Sequence, residues 1–547
     1  MRLIAKVILL FGMVGFAGPA FGETDAVLWH KYELPFESDR SYENQFYQVS
    51  DFFVTFTSQT GRIRKVDGFW DGDRSWKVRF QPDETGEWTW VSNCSDEKNS
   101  GLHGKSGQFV CVKGEEDLEL YQRGAIQHQP GSYHLSFADG TPFFWMACTA
   151  WNGAMKSTEA DWDHYLEHRR DHNYNVIQFV TTQWRGGGGN RDGEVAFEGA
   201  GRIEVNPEFF QKMDERVDRI NEMGLVAAPV LLWALPSVTG RDLSPGYYLP
   251  VDEATHLANY IVARYQGNHV VWFLGGDGRF FDHFESRWKA IGNNVFGDID
   301  HAPATLHPHG QSFIGDLYAG ESWFKIMGYQ SSHSYRQATV DFINRKDIAN
   351  SWDKLRPMPY INLEPIYENI HDHQTPEHVR NAIWWSLFAT PVAGISYGAN
   401  GIWSWIENDG DQILNHRAAP HTVSWKNSLE LPVSKEMKHL VEFWKQFDWW
   451  EFYPQPDLLL HQPGEEQYDA FVGVLSNRDQ SLILAYVPKE GVISLRATPG
   501  RSYDAKWFNP LENIYTSADL QYSRGSFAVT QEGNTGRVLV LRGIESR

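Results

Sequence analysis

The sequence is poor in cysteine and in positive charge, and it lacks any long hydrophobic run beyond its first residues. Its 547 residues include 3 cysteines, and 49 Lys and Arg against 70 Asp and Glu give a formal net charge of −21. This acidity argues against nucleic acid or an anionic membrane as a partner. No internal repeat or low-complexity tract is evident. A chain of this length is expected to form about two to four domains.

The N-terminus has the composition of a secretory signal. Arg2 and Lys6 precede an apolar core, and small residues lead up to Gly22. The apolar run is shorter than the ~20 residues that span a membrane. No cysteine lies near the cleavage position, which argues against a lipid anchor. We therefore predict a signal peptide over residues 1–22, cleaved near Gly22, and a secreted or periplasmic protein.

The cysteines leave two interpretations open. Cys94 and Cys111 flank a stretch between two strand-like segments. In an exported protein they could form a cross-strand disulfide, and two buried thiols are the alternative. Cys148 lies in an apolar strand and is expected in the core.

The pattern of apolar and polar residues divides the rest of the chain into three parts. Short alternating segments with Gly, Asp and Pro between them predict an N-terminal β-sandwich over residues 23–118. Alternating apolar strands and amphipathic helices predict an α/β domain over 119–450. Strand-like segments again follow one another in residues 451–547, which predicts a C-terminal β-sandwich. Because the joins lack Pro, Ser or Gly tracts, both flanking modules are expected to pack on the central domain.

Eight strand-like segments can be counted in the central part. They begin at residues 143, 175, 225, 270, 304, 324, 359 and 393. Most have helix-like segments between them, and the clearest helix has Asn206 as its cap, Pro207 at its first position and Gly224 after its end. This order is typical of a (β/α)₈ TIM barrel. A doubly wound sheet is the rival, but it would need a Gly-rich turn after its first strand, and that turn is absent.

In such barrels the active site is built just past the C-terminal ends of the strands. Asp277 follows the fourth segment and Glu364 the seventh. Two carboxylates in one cleft are typical of glycoside hydrolysis, and aromatic, amide and His side chains suit sugar binding. The candidate substrate-binding residues are Trp151, Asn152, Gln183, Trp184, Trp233, His307, His309, His333, Tyr335, Tyr367, Glu368, Tyr397 and Trp403. Among these, Trp151, Trp184 and Trp233 are expected to line the pocket, with at least two of them partly exposed.

Other interpretations of the same residues remain open. Asp277 follows two glycines and could be a turn residue, and Glu368 could form a surface ion pair. His307 and His309 could be ligands of a metal-dependent hydrolase, although no further His-Asp pattern is spaced to complete that site. A non-catalytic carbohydrate-binding protein is a third possibility.

Several motifs occur in the order found in a known family. "GTPFFWMACTAWN", "NVIQFV", "VVWFLGGD", "TLHPHG", "EPIYE" and "GISYGANGIW" resemble the apiosidase-like catalytic domain, typified by glycoside hydrolase family 140, over about residues 120–450. The N-terminal part resembles the β-sandwich that often precedes such barrels. The tail with "KWFNP" resembles a collagen-binding-type β-domain. The resemblance implies that Asp277 is the acid/base and Glu364 the nucleophile.

Together these observations predict a secreted glycoside hydrolase with three domains. It is expected to cleave a plant or algal polysaccharide or oligosaccharide by a retaining, two-carboxylate mechanism. No cofactor, metal, nucleic acid or membrane partner is expected. The protein is predicted to be a monomer or a weak oligomer.

Overall fold

The structure is a computed structural model that describes residues 25–544, apart from 116, 237–238, 298 and 417–420. The predicted signal peptide lies outside these residues. Within the described part, no helix is long and apolar enough to cross a membrane.

The N-terminal part is a β-domain with its own hydrophobic core. A seven-stranded sheet is antiparallel except where its first strand pairs with its last. Its strands are Ala26–Val27, Tyr32–Glu37, Phe52–Ser58, Ile63–Trp70, Ser75–Phe80, Gly86–Cys94 and Ser106–Val112. Buried aromatic side chains such as Phe56, Trp76 and Trp88 fill the core, as the period-2 alternation of these segments predicts.

Cys94 and Cys111 are buried free thiols, and so is Cys148. The strand register explains why the first two cannot pair. Cys111 lies opposite Gly86, at the start of the strand Gly86–Cys94, whereas Cys94 is the last residue of that strand. At roughly 3.3 Å per residue the two are about 26 Å apart along the strand direction, far beyond the reach of a disulfide.

The central part contains eight parallel strands, one within each of the eight predicted segments. We label them β1 to β8: Trp145–Thr149, Val176–Val180, Val226–Trp233, Trp272–Gly278, Ala304–Pro308, Met327–Gln330, Tyr360–Glu364 and Gly394–Tyr397. A six-stranded sheet has the order β5-β4-β3-β2-β1-β8, and β6 pairs with β7. This is a mixed α/β architecture in which the six-stranded sheet forms a half-barrel.

Both edges of the six-stranded sheet meet the β6–β7 pair. Beside β5, the backbone N–H of Lys325 donates to the carbonyl of Ala304 at 2.9 Å. Beside β8, the N–H of Glu368 donates to the carbonyl of Gly398, also at 2.9 Å. Since all of these pairings are parallel, the C-terminal ends of the eight strands face the same side of the domain.

Helices follow most of these strands. Pro207–Glu222 begins as predicted, because the side chain of Asn206 accepts hydrogen bonds from the N–H groups of Glu208 and Phe209. The last central helix is Pro432–Trp444. The other α-helices are Gln45–Gln48, Glu119–Arg123, Gly153–Lys156, Glu159–Asp171, Pro245–Tyr248, Val251–Tyr265, Glu285–Phe296, Gly315–Tyr318, Gln337–Asn344, Pro376–Phe388, Asn400–Ser404 and Trp425–Leu429.

Shorter elements complete the central part. Short strands lie at Ile126–Gln127, Leu135–Phe137, Pro142–Phe143, Phe197–Glu198 and Glu204–Val205. Single 3₁₀ turns lie at Arg241–Leu243 and Asp282–Phe284 in the central part, at Trp449–Glu451 where this part ends, and at Pro456–Leu458, Pro463–Glu465 and Tyr468–Ala470 in the C-terminal part.

The C-terminal part consists of two antiparallel sheets that share a hydrophobic core. The six-stranded sheet contains, in order, Tyr453–Pro454, Gly473–Ser476, Leu482–Val487, Arg537–Ile544, Ser502–Asn509 and Ile514–Ser517. The three-stranded sheet contains Gly491–Arg496, Ser526–Gln531 and Gln521–Ser523.

Both flanking parts pack directly on the central one, as the sequence predicted. On the N-terminal side, Asp214 receives hydrogen bonds from Arg79 and Arg264, each at 2.7 Å, and Arg264 also reaches Asp71 at 2.6 Å. These four side chains are buried. On the C-terminal side, the rings of Trp384 and Tyr486 are stacked with their centroids 5.6 Å apart. Buried ion pairs thus fix the N-terminal part to the central part, and aromatic stacking helps to fix the C-terminal part.

Candidate active site

A cavity of about 370 Å³ lies at the C-terminal ends of the central strands. This volume is within the range of small-molecule pockets, roughly 300–1,000 Å³. Both Asp277 and Glu364 line it. The other lining residues are Trp151, Trp184, Arg185, Trp233, Leu235, His309, Gly310, Gln311, Gln330, Ser332, His333, Arg336, Tyr367, Ile370, Trp403 and His416. The fold therefore brings together two carboxyl groups that are 87 residues apart in the sequence.

Glu364, the last residue of β7, is held by three neighbours. His333 Nε2 lies 2.8 Å and Gln330 Nε2 3.0 Å from its Oε1. His307 Nε2 lies 3.0 Å from its Oε2. Burial alone would raise the pKa of this carboxyl, but His307 and His333 outweigh burial and lower the pKa to about 2. Glu364 is therefore an ionised carboxylate over the whole neutral range, although the side chain is only 6% exposed.

His307 connects the two carboxyl residues. The backbone N–H of Asp277 donates to Nδ1 of His307 at 3.3 Å. With Nδ1 accepting, Nε2 is the nitrogen that carries the proton, and Nε2 faces Glu364. His307 lies in β5 and is fully buried. Its ring thus contacts the backbone of Asp277 at the end of β4 and the carboxylate of Glu364 at the end of β7.

Asp277 has an unusual backbone conformation. It lies in the left-handed region with φ 49°, at a register shift where Gly276 pairs with His307 and Gly278 with Pro308. Asp277 is thus the extra residue of a β-bulge, a feature that redirects a side chain at the end of a strand. The glycines beside it are required, because a Cβ on Gly276 would lie 2.7 Å from the ring of Trp233. The interpretation of Asp277 as a simple turn residue is therefore wrong.

The environment of Asp277 favours the protonated acid. Burial raises its pKa from 3.8 to about 6, and the negative charge of Glu364 adds to this effect. His309, His307 and Arg185 act in the opposite direction. One cavity thus contains one carboxyl group whose pKa is raised and another whose pKa is lowered.

The three tryptophans at strand ends line the cavity, but the prediction of their exposure is wrong. Trp151, Trp184 and Trp233 are only 2–3% exposed. They pack on one another, with the Trp184 and Trp233 ring centroids 4.3 Å apart. Trp151 Nε1 also donates to the hydroxyl of Tyr367 at 2.7 Å. Because their faces are covered by neighbouring rings, they form a wall and offer no open platform for a sugar ring.

Four other predicted residues have side chains at the cavity. His309 is exposed there, His333 is half-buried, and Tyr367 and Trp403 are buried in its wall. Trp403 lies in the short helix Asn400–Ser404, after the end of β8.

Asn152 and Gln183 do not line this cavity, although both were predicted to bind substrate. Asn152 accepts a hydrogen bond from Trp184 Nε1 at 2.6 Å and donates to the carbonyl of Gly186 at 2.8 Å. Gln183 donates to the carbonyl of Phe197 at 2.7 Å. Both side chains use their amide groups to hold loops in place.

Tyr335, Glu368 and Tyr397 are also outside the cavity lining. The Tyr335 ring stacks on His378 with centroids 3.9 Å apart. Tyr397 donates its hydroxyl hydrogen to Glu368 at 2.7 Å. Glu368 also accepts from the N–H groups of Val433 and Ser434 at 3.1 and 3.2 Å. It is therefore neither a surface ion-pair residue nor a substrate ligand, but a buried cap of the last central helix.

Nine lining residues were missed by the sequence analysis, among them Arg185, Gln330, Arg336 and His416. Gln330 could have been found, because it is the last residue of β6, whereas the candidates chosen lie three and five residues later. Arg185 directly follows a chosen residue. His416 has no local signal, since a loop far from any strand end brings it to the cavity.

The alternative of a metal site finds no geometric support. Both ring nitrogens of His307 face protein groups, namely the Asp277 N–H and Glu364. Within the described ranges, no three or more His, Cys, Asp or Glu side chains are grouped so that they could hold a metal ion.

A carboxyl group with a raised pKa and an ionised carboxylate, both at the ends of parallel strands, are the functional groups expected of a glycoside hydrolase. The chain belongs to the apiosidase-like family: the family model "Apiosidase-like, catalytic domain" matches residues 129–451. The protein is accordingly a glycoside hydrolase. A second model, a domain of unknown function called DUF5060, matches residues 26–95 in the N-terminal β-domain.

Solved structures share this fold at low sequence identity. A structure described as a glycoside hydrolase is 22% identical with a TM-score of 0.66, covering 77% of this chain and 97% of its own. A glycoside hydrolase family 5 structure from Bacteroides vulgatus is 21% identical with a TM-score of 0.65, covering 77% and 94%. A presumed glycoside hydrolase from the same organism is 15% identical with a TM-score of 0.67, covering 95% and 100%. No curated protein matches in sequence.

Proposed function

We propose that this protein is an exported glycoside hydrolase that cleaves a plant or algal polysaccharide or oligosaccharide with retention of anomeric configuration. The observation that carries the proposal is the pair of carboxyl groups in one cavity with pKa values shifted in opposite directions. Such a pair supplies an acid and a nucleophile at the same pH. Export rests on the N-terminal sequence.

In the first step, Glu364 attacks the anomeric carbon while the bond to the leaving oxygen breaks. Asp277 donates its proton to that oxygen, and a glycosyl ester forms on Glu364. In the second step, the Asp277 carboxylate takes a proton from water, and the water oxygen displaces Glu364 from the anomeric carbon. His307 and His333 keep Glu364 ionised in the free enzyme, and the bulge at Asp277 directs the acid toward the cavity.

We further propose that β1 to β8 close into a (β/α)₈ barrel. Two backbone hydrogen bonds support this closure. One joins β5 to the segment just before β6, and the other joins the segment just after β7 to the segment just after β8. Residues 23–118 and 451–547 would then be β-sandwich domains that flank a barrel of residues 119–450. The active site would lie at the C-terminal mouth, where barrel enzymes carry their catalytic groups.

The test is hydrolysis of a panel of plant and algal glycans, measured as released reducing sugar. Glu364→Gln should lower kcat by at least about 1,000-fold, because the nucleophile is lost, while the circular dichroism spectrum stays unchanged. Proton NMR of the first-formed product should show the anomer of the substrate. Release of the opposite anomer would reject retention. Near-normal activity of Glu364→Gln would reject the assignment of Glu364.

A further inference from the structure

Arg185 is a cavity residue that the two-carboxylate mechanism does not use. It follows Trp184 in a tight turn, in which the N–H groups of Trp184 and Gly187 each donate to the other's carbonyl at 2.9 Å. Arg185 Nη2 donates to the carbonyl of Asn415 at 2.9 Å, and Asn415 Nδ2 donates back to the Arg185 carbonyl at 3.0 Å. The position of this side chain is therefore well defined.

Close packing against Gly240 also fixes the position of Arg185. Gly240 has φ +74°, and a Cβ there would lie 2.7 Å from the Cβ of Arg185. A larger residue at 240 would push the arginine away from its place. The segment around Gly240 thus packs against the arginine. A glycine is needed there both for the backbone conformation and for the close approach.

The cation of Arg185 is not neutralised by a direct ion pair. Its Nε is buried without a hydrogen-bond partner, and no carboxylate in the described part of the chain forms an ion pair with it. Burial lowers the pKa of the guanidinium, and the charge of Asp277 opposes this only in part. A half-buried cation without an ion-pair partner costs free energy, although less than a fully buried one. In a chain with a net charge of −21, leaving this arginine unpaired at the cavity is a feature that an anionic ligand would explain.

We propose that Arg185 forms a subsite for an anionic group on a sugar of the substrate, either the carboxylate of a uronic acid or a sulfate ester. This inference rests on the proposed function. The planar guanidinium suits both groups, because it can donate two parallel N–H bonds to their oxygens. Glu364 does not prevent anion binding, because His307 and His333 face its carboxylate. Arg336 also lines the cavity and is exposed, which adds positive charge at the same place.

The test compares sugars that differ only in the group at C6, which is either neutral or anionic. Binding of galactose, galacturonic acid and galactose 6-sulfate, and of the corresponding glucose series, would be measured on the full-length protein by tryptophan fluorescence and calorimetry. We expect one anionic sugar to bind at least about tenfold more tightly than its neutral counterpart, since a hydrogen bond to a charged group contributes that much. The preferred anion distinguishes a carboxylate site from a sulfate site.

Variants connect this preference to Arg185. Arg185→Gln should abolish it, and Arg185→Lys should keep part of it, which also shows that the pocket still folds. The matched control is Arg191→Gln in the same loop, because Arg191 is paired with Glu407 at 2.6 Å and does not line this cavity. Arg191→Gln should leave the preference unchanged.

Two results would overturn the subsite: equal binding of neutral and anionic sugars, or a preference that survives Arg185→Gln. If Arg185→Gln moved the pH dependence of hydrolysis without changing a preference for anions, Arg185 would act on Asp277 alone and the subsite would also be rejected. An Arg185-dependent preference without hydrolysis of any glycan would support the subsite and reject the proposed function. The two proposals can thus fail separately.

Discussion

The rate of hydrolysis should fall as the pH rises above about 6. In the proposed mechanism, Asp277 must carry a proton when the bond to the leaving oxygen breaks, and Glu364 must be ionised. Burial and the charge of Glu364 raise the pKa of Asp277 to about 6, whereas His307 and His333 lower that of Glu364 to about 2. The active form, with one proton on Asp277, therefore predominates between these two pH values.

The size of the decrease follows from the fraction of Asp277 that remains protonated. With a pKa of about 6, roughly one molecule in ten carries the proton at pH 7 and one in a hundred at pH 8. The value of kcat/KM should therefore drop about tenfold for each pH unit above 7. An ordinary aspartic acid would lose its proton near pH 4, so the raised pKa moves the usable range up by about two pH units.

The assay is kcat/KM on a cleaved glycan from pH 4 to pH 9 at constant ionic strength. Circular dichroism at each pH checks that the protein stays folded. Asp277→Asn is the diagnostic variant: it should lose the decrease above pH 6, because the titrating group is gone. Its kcat/KM on aryl glycosides with good leaving groups should stay close to wild type, because this first step needs little protonation, whereas its kcat should fall because no base activates the water of the second step. A wild-type rate that is constant up to pH 8, or an unchanged decrease in Asp277→Asn, would refute the assignment.

Other predictions concern stability and metal dependence. Glu368→Ala should destabilise the fold by about 1–3 kcal/mol in urea unfolding, because two helix N–H groups and a tyrosine hydroxyl lose a buried acceptor; unchanged stability would contradict its role as a cap. Asp214→Asn should cost roughly 3–5 kcal/mol, because Arg264 would remain buried with part of its counter-charge removed. Limited proteolysis would then release the N-terminal β-domain sooner than in wild type, and an equal rate would argue against the ion network as the link. Treatment with EDTA should leave the rate of hydrolysis unchanged; loss of activity that zinc restores would favour the metal-dependent alternative.

Local sequence determined the secondary structure of the central part well. Each of the eight apolar segments contains one parallel strand, because buried strands are short apolar runs bounded by turn residues. The helix after Asn206 begins where its cap and proline predict, since capping depends only on neighbouring residues. Glu364 and Asp277 could be found for the same reason: a residue at the end of a strand can be recognised without knowing what lies opposite.

Tertiary structure decided which side chains actually face the cavity. Glu364 and Glu368 are four residues apart, yet the first lines the cavity and the second caps a helix that begins at Pro432. Gln183 and Arg185 flank the same tryptophan, but one holds a loop and the other reaches the cavity. The direction of a side chain beyond a strand end depends on loops that are distant in sequence, and local patterns do not contain that information.

Exposure and pairing were likewise set by distant neighbours. Trp151, Trp184 and Trp233 lie at strand ends as predicted, but they cover one another's faces because the ends of neighbouring parallel strands lie close together. The free state of Cys94 and Cys111 follows from strand register, because Cys94 ends the nine-residue strand Gly86–Cys94 and Cys111 lies on the neighbouring strand opposite Gly86. The sequence by itself therefore determined the elements and the two carboxyl groups. Only the packing of those elements decided the contacts and, through burial and neighbouring charges, the opposite pKa shifts of Asp277 and Glu364.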